Sequence, residues 1–257
     1  MVIDEIFPNP TVKQVIFQIT FPNLFYLEKR IGDIQEKIME QFPKSDLLLR
    51  RGILLADIGP DQKIEFPPNE IESSATKKIW HFEAKNKTQL NISSNSLDLS
   101  SEFHKTYNFG EKDKFRDVIE HVIGTFIEIA GLPIINRIGL RYIDHCPLPT
   151  KDNETLKQYY NSKFPTDKFN IANADTMAFR AVVKEGRYYL GYVESLQQIK
   201  GETKLILDFD GSATDVKNSS DYLTITDELH DLISKAYKET IKDPVYAYMR
   251  QTTKIEG

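Results

Sequence analysis

"IINRIGLRYIDHC", residues 134–146, is the stretch on which the reading of this chain turns. Apolar and polar side chains alternate along it: Ile138, Leu140 and Tyr142 share one face, and Arg137, Gly139 and Arg141 share the other. A period of two predicts a half-buried strand. The two arginines then stand roughly 13 Å apart with no side chain between them at Gly139. Planar cations flanking such a gap suit a phosphate, a carboxylate or an acidic partner. The competing reading pairs them with carboxylates on neighbouring strands, for which Asp208, Asp210 and Glu194 are at hand.

Working outward, residues 12–21 ("VKQVIFQITF") predict an earlier strand rich in β-branched and aromatic residues. Leu27, Ile31, Ile34, Ile38 and Phe42 recur at helical spacing, and 46–58 predicts a strand bent at Gly52. Two paired strands are expected at 77–86 and 88–100. A strong amphipathic helix follows over 112–130, stopped by Gly131 and Pro133. After the arginine strand come a short helix at 153–164, a hairpin of 175–183 with 187–199 turning at Gly186, and a strand at 202–210. The last helix, 222–241, has Thr224 and Asp227 spaced as a capping box. Each half thus shows the order β-α-β-β-β-α. The fold class predicted is α+β, with two similar halves, 1–130 and 131–257. Each half is expected to be a mainly antiparallel sheet backed by its own long helix, the pair packed as one unit after a duplication.

Composition narrows the function classes. The chain has 257 residues, 40% hydrophobic and 28% charged, which is a globular balance. A net charge of −5 gives no basic footprint for nucleic acid, so that partner is not expected. No apolar run reaches the roughly 20 residues of a membrane span. One cysteine, Cys146, and an acidic N-terminus without a signal-peptide pattern point to the cytoplasm.

The motifs that carry chemistry are weak. "LILDFDGSATD" (205–215) contains Asp208-Phe209-Asp210-Gly211, the opening of a haloacid-dehalogenase-type phosphatase signature. Too little chain follows it to build that fold, and the signature's threonine is Ser212. The expected structure is a strand ending in an Asp-Gly turn. Asp208 and Asp210 could share a metal, but no third ligand is nominated, so neither a metal nor a cofactor is expected. His81, His104, His121, His145 and His230 have no ligand spacing, and His121 and His230 are expected in solvent. His145 and Cys146 point to opposite strand faces, which makes them a poor base–nucleophile pair. Tyr188, Tyr189 and Tyr192 after Arg187 could line a groove, and otherwise pack on a sheet.

"WHFEAKNKTQLNISSNSLDLSSEFHKTYNFGEKDKFRDVIEHVI" leading into "NRIGLRYIDH", together with the closing "LHDLISKAYKETI", resembles a sporadically distributed bacterial family of similar length. That family's hallmark is R-I-G-L-R-Y-I-N. Arg137, Gly139, Leu140, Arg141 and Tyr142 stand at hallmark positions, and Trp80 and Phe82 match its tryptophan strand. The final Asn is Asp144 here. The resemblance implies no reaction. Its patchy distribution implies genes that move between bacteria, as those of phage-defence and toxin–antitoxin systems do.

With no catalytic constellation, the expected function is a non-enzymatic binding protein: a partner, sensor or antagonist of another macromolecule, most simply another protein, with a homodimer left open. The alternative is a receptor gripping a small anionic ligand in a cleft between the halves. The residues nominated for binding are Arg137, Gly139, Arg141, Arg180 and Tyr192. A metal-dependent phosphoesterase or nuclease ranks third.

Overall fold

The structure, a computed structural model, describes residues 5–51 and 76–252. Its elements run β1 (Val12–Thr20), α1 (Ile31–Ile38), β2 (Lys44–Arg51), β3 (Thr76–Glu83), β4 (Gln89–Ser93), β5 (Ser96–Ser101), α2 (Phe115–Ala130), β6 (Ile135–Pro147), α3 (Asn153–Tyr159), β7 (Ala178–Glu185), β8 (Tyr188–Ile199), β9 (Glu202–Val216), α4 (Tyr222–Thr240) and α5 (Asp243–Arg250). The strand predicted at 46–58 is β2 as far as Arg51. Residues 52–58, with the bend expected at Gly52, lie outside the described residues.

The strands form one antiparallel sheet of nine, ordered β2-β3-β4-β5-β1-β6-β9-β8-β7. This corrects the expectation of two separate sheet-plus-helix halves. The joint is β1 against β6, paired from Val12–Asp144 to Thr20–Arg137. Two separate sheets would leave β1 and β6 as edge strands with unpaired backbone groups; pairing them satisfies both rows. Both strands are also apolar on the same side, so joining them makes one continuous core. The mixed α+β character holds.

That core lies on one face. Val15, Phe17 and Ile19 of β1, Ile138 and Leu140 of β6, and Leu205, Leu207 and Phe209 of β9 are all buried there. The long helices cover them. Phe126 of α2 packs on Phe21 with ring centroids 5.2 Å apart, and Leu229, Ile233 and Tyr237 of α4 are buried against the other side. Each large aliphatic side chain so buried stabilises by about 1.5–3 kcal/mol. Helix α2 ends as the sequence predicts, with Gly131 in the left-handed region at φ 61°. No described helix is long and apolar enough to cross a membrane.

Several local expectations change. The strand predicted at 88–100 is a hairpin, β4 and β5, turning at the polar Ser94-Asn95 pair. The predicted capping box is not formed: α4 starts at Tyr222 after Asp221, which makes no side-chain cap. Most telling, β9 does not stop at Asp210-Gly211 but runs straight through to Val216. Gly211 is there because α4 crosses it. A Cβ at that position would lie 3.2 Å from Ile233 Cδ1 and 3.5 Å from Leu229 Cδ2.

Candidate functional site

Strand β6 serves two sites, one on each face. On the face away from the helices, Arg141 makes a fork with Asp208, its Nε and Nη2 donating at 2.7 and 2.6 Å. Arg137 Nη2 donates to both oxygens of Asp210 at 3.1 and 3.3 Å, and its Nη1 to Gln18 Oε1 at 3.1 Å. Gln18 in turn donates to Asp98. The gap at Gly139 is filled by the chain itself: a Cβ there would fall 2.4 Å from Arg137 Nη1. The ion-pair reading of the two arginines is the one the geometry has.

The five nominated residues do not converge. Arg180 is exposed on the edge strand β7, opposite Val193 of β8. Tyr192 points to the helix side, its ring 5.1 Å from that of Phe209 and its hydroxyl donating to Glu194. Glu194 is not a partner for the arginines either. It is fully buried on the helix side, where it accepts from Ser162 Oγ at 2.6 Å and from the Lys163 amide at 2.9 Å, fixing the chain after α3. Asp208 and Asp210 are both taken by guanidiniums. Among the described residues no three His, Cys, Asp or Glu side chains are placed to hold a metal ion.

On the helix face, the residues of β6 that alternate with the arginines line a cavity of about 120 Å3. Tyr142 and Asp144 come from β6, Thr11 from the approach to β1, Phe209 from β9, and His230 and Tyr237 from α4. The exposed Lys105 and Asn108 also line it, so it meets solvent on that side. It lies where first-half β1 and second-half α4 face each other across the sheet joint.

Asp144 is the centre of this site and is only 5% exposed. Thr11 Oγ1 donates to its Oδ1 at 2.8 Å, and the Tyr237 hydroxyl, 2.6 Å from Thr11 Oγ1, completes a short relay. The other carboxyl oxygen accepts no hydrogen bond among the described residues. Burial therefore raises the carboxyl from its usual 3.8 to about 7, opposed by the Thr11 bond and by the charges of Lys13 and Lys105. Lys105 does not bond to the carboxylate; its ammonium donates to the carbonyls of Val12 and Glu102 at 3.3 and 2.5 Å.

His230 was expected in solvent and is instead built into the wall. Its ring stacks on Tyr107 at 4.2 Å and 16°. Nδ1 lies 3.1 Å from the Tyr142 hydroxyl and Nε2 lies 3.3 Å from Ser234 Oγ. Burial lowers its pKa to about 4, so the imidazole is neutral at physiological pH. Ser234 and His230 form the serine–histidine pair of the cavity; a tighter pair, Ser101 Oγ and His104 Nδ1 at 2.7 Å, is buried away from it. No carboxylate orients His230: Asp227 accepts instead from the Tyr107 hydroxyl and Arg116, at 2.7 and 2.9 Å. Cys146 is fully buried, and burial holds its thiol well above the usual range, the opposite of nucleophile activation.

No protein-family model matches the chain, and no curated protein or solved structure shows significant similarity to it. Function rests on the geometry.

From the sequence, Tyr142 is a residue of the apolar face and a hallmark position, Asp144 a departure from the hallmark and His230 a solvent residue; Thr11, Asp144, His230 and Tyr237 are not nominated for binding. Part of the signal was visible: along β6 the residues in phase with Ile138 and Leu140 are Tyr142 and Asp144, so the acid shares the apolar face. A carboxylate in a core phase is an anomaly that invites a functional question.

Proposed function

We propose that the chain is a non-enzymatic binding protein, a receptor for a small molecule held in the cavity between α4 and the β1–β6 joint. One observation carries this reading: a carboxyl group, Asp144, set in a cavity wall with one oxygen that accepts no hydrogen bond among the described residues. That oxygen is left to accept from whatever enters the cavity. The surrounding wall is aromatic and apolar with a few convergent polar groups, the usual make-up of a ligand pocket. Turnover is not supported, since the Ser234–His230 pair has no orienting acid and the acids of the opposite face are bound to arginines.

Thermal-shift screening against a panel of small amines, alcohols, acids and nucleosides tests it. A ligand at a hundredfold excess over its Kd should stabilise by about 2.7 kcal/mol. Ser234→Trp, which fills the cavity from the middle of α4, should abolish the shift. If no compound stabilises the protein, or if the shift survives Ser234→Trp, the receptor reading is wrong.

A second reading has its own observation. All the long helices cover one side of the sheet, and the other side is a broad polar surface running from Asn91 and Asp98 through Gln18 and Arg141 to Ser212 and Arg180. Such a face suits a protein partner. A partner that co-purifies with wild type and is lost with Ser212→Trp, at unchanged melting temperature, would support it; retention of the partner would remove this face from consideration.

A further inference from the structure

The receptor reading leaves the ligand's chemistry open, and the cavity restricts it. Of its lining carboxyls, Glu5 is paired with Arg250, whereas Asp144 has no ion-pair partner among the described residues. The anionic ligand expected from the arginine strand has no support on this face, since Arg137 and Arg141 lie on the opposite one and are bound to Asp210 and Asp208. Aromatic side chains line the cavity with Asp144, among them Tyr107, Tyr142 and Tyr237, and the face of such a ring attracts cations. The deeper wall is apolar: Phe209, Ile233 and Met249. The neighbouring cations are already engaged. Lys105 is bonded to backbone carbonyls, and at the mouth Arg250 is paired with Glu5 at 2.8 Å. Size sets the last limit. An apolar protein cavity of about 150 Å3 accommodates benzene, so about 120 Å3 suits a body of roughly six or seven non-hydrogen atoms.

We propose that this cavity selects a compact organic monocation, its ammonium group against Asp144 and its apolar body against Phe209, Ile233 and Met249. The ammonium supplies the donor that the second carboxyl oxygen accepts, and the ion pair is completed inside an aromatic cage. This rests on the receptor reading. It also explains the acid's cost: Asp144 is destabilised as an anion by the fold alone and would be stabilised as one by the ligand.

The test uses three probes of seven non-hydrogen atoms each, cyclohexylamine, cyclohexanol and cyclobutanecarboxylate, titrated calorimetrically at pH 8 into the full chain and into Asp144→Asn. Wild type should bind the amine about tenfold or more tightly than the alcohol and should reject the carboxylate. Asp144→Asn should bind amine and alcohol about equally. The comparison on wild type stands whether or not the variant folds. Alcohol or carboxylate binding as well as the amine would overturn the cation assignment and leave the receptor reading intact. A preference for the amine that persists in a folded Asp144→Asn would overturn the role of Asp144. Binding of none of the three at millimolar concentration, together with a blank thermal-shift screen, would sink both readings.

Discussion

The two faces of β6 treat charge in opposite ways. On the uncovered face Arg137 and Arg141 are matched by Asp210 and Asp208, side by side in solvent reach, so each charge has both a partner and water. On the covered face, two residues beyond Tyr142, a single carboxyl sits among rings with half of its hydrogen bonds made. The first arrangement costs the fold little and contributes little. The second costs stability at every pH where the acid ionises. Charge that is numerous and paired describes a surface; a carboxyl that is buried and has no ion-pair partner among the described residues marks where a ligand would be stabilised.

The largest expected effect contrasts two glycines of neighbouring strands that face opposite sides. Gly211→Val places its Cβ 3.2 Å from Ile233 Cδ1 and 3.5 Å from Leu229 Cδ2, inside the α4–β9 contact, and its two methyl groups add further volume among these buried side chains. Overpacking of this kind costs about 3 kcal/mol, a fall in melting temperature of roughly 6–12 °C for a chain of this size. Gly139→Ala meets only the tip of Arg137, which can swing into solvent, and should cost under about 0.5 kcal/mol. Equal losses in a melting experiment would mean that the covered and uncovered faces are not mechanically different.

Next comes the pH dependence of Asp144→Asn. The folded carboxyl titrates near 7 against an ordinary 3.8, so between these values the native state holds a proton that the unfolded chain has lost. Wild type therefore loses stability from this group as pH rises through that window, and the loss is complete above about 7. Thr11, Lys13, Lys105 and Asp208 all bear on this carboxyl, and His230 titrates near 4, at the lower edge of the same window, so the informative quantity is the difference between variant and wild type. Relative to wild type, Asp144→Asn should gain about 4 kcal/mol between pH 4 and pH 8. Urea unfolding at those two pH values measures it. A difference independent of pH would mean that the carboxyl is not buried as an acid.

How much of this was legible in the sequence depends on whether the signal was local. Alternation placed the residues of β6 on their correct faces and found both long helices, because period is a property of neighbours in the chain. The ion pairs of Arg137 and Arg141 were foreseeable in kind, since Asp208 and Asp210 share a phase, though Glu194 was assigned to the wrong face. β9 was cut short at Asp210-Gly211 by turn chemistry, yet Leu205, Leu207, Phe209, Gly211 and Ala213 keep the two-residue period through it, and that longer pattern was the better guide. The single sheet was not legible, because the pairing of Val12 with Asp144 joins residues far apart in sequence and no local pattern encodes it. The cavity failed for the same reason: Thr11, Asp144 and Tyr237 meet only once β1, β6 and α4 are assembled.

The smallest expected effect belongs to the feature that dominated the sequence. Arg141→Ala removes a two-pronged pair with Asp208, whose side chain is 17% exposed, whereas the arginine itself is 44% exposed. Solvent already screens the guanidinium, so the pair contributes about 0.5–1 kcal/mol, and the residual cost is that of leaving Asp208 without its donor. Arg137→Ala should cost less, since Asp210 is 46% exposed and can turn to water. Both losses should shrink in 1 M salt, where the screening length falls to about 3 Å, while the effect of Gly211→Val should not. Ligand binding in the cavity should be unchanged within about twofold in either arginine variant, because the side chains point away from it. An arginine variant that abolished cavity binding while keeping its melting temperature would show that the two faces of β6 communicate, and the division of labour between them would have to be abandoned.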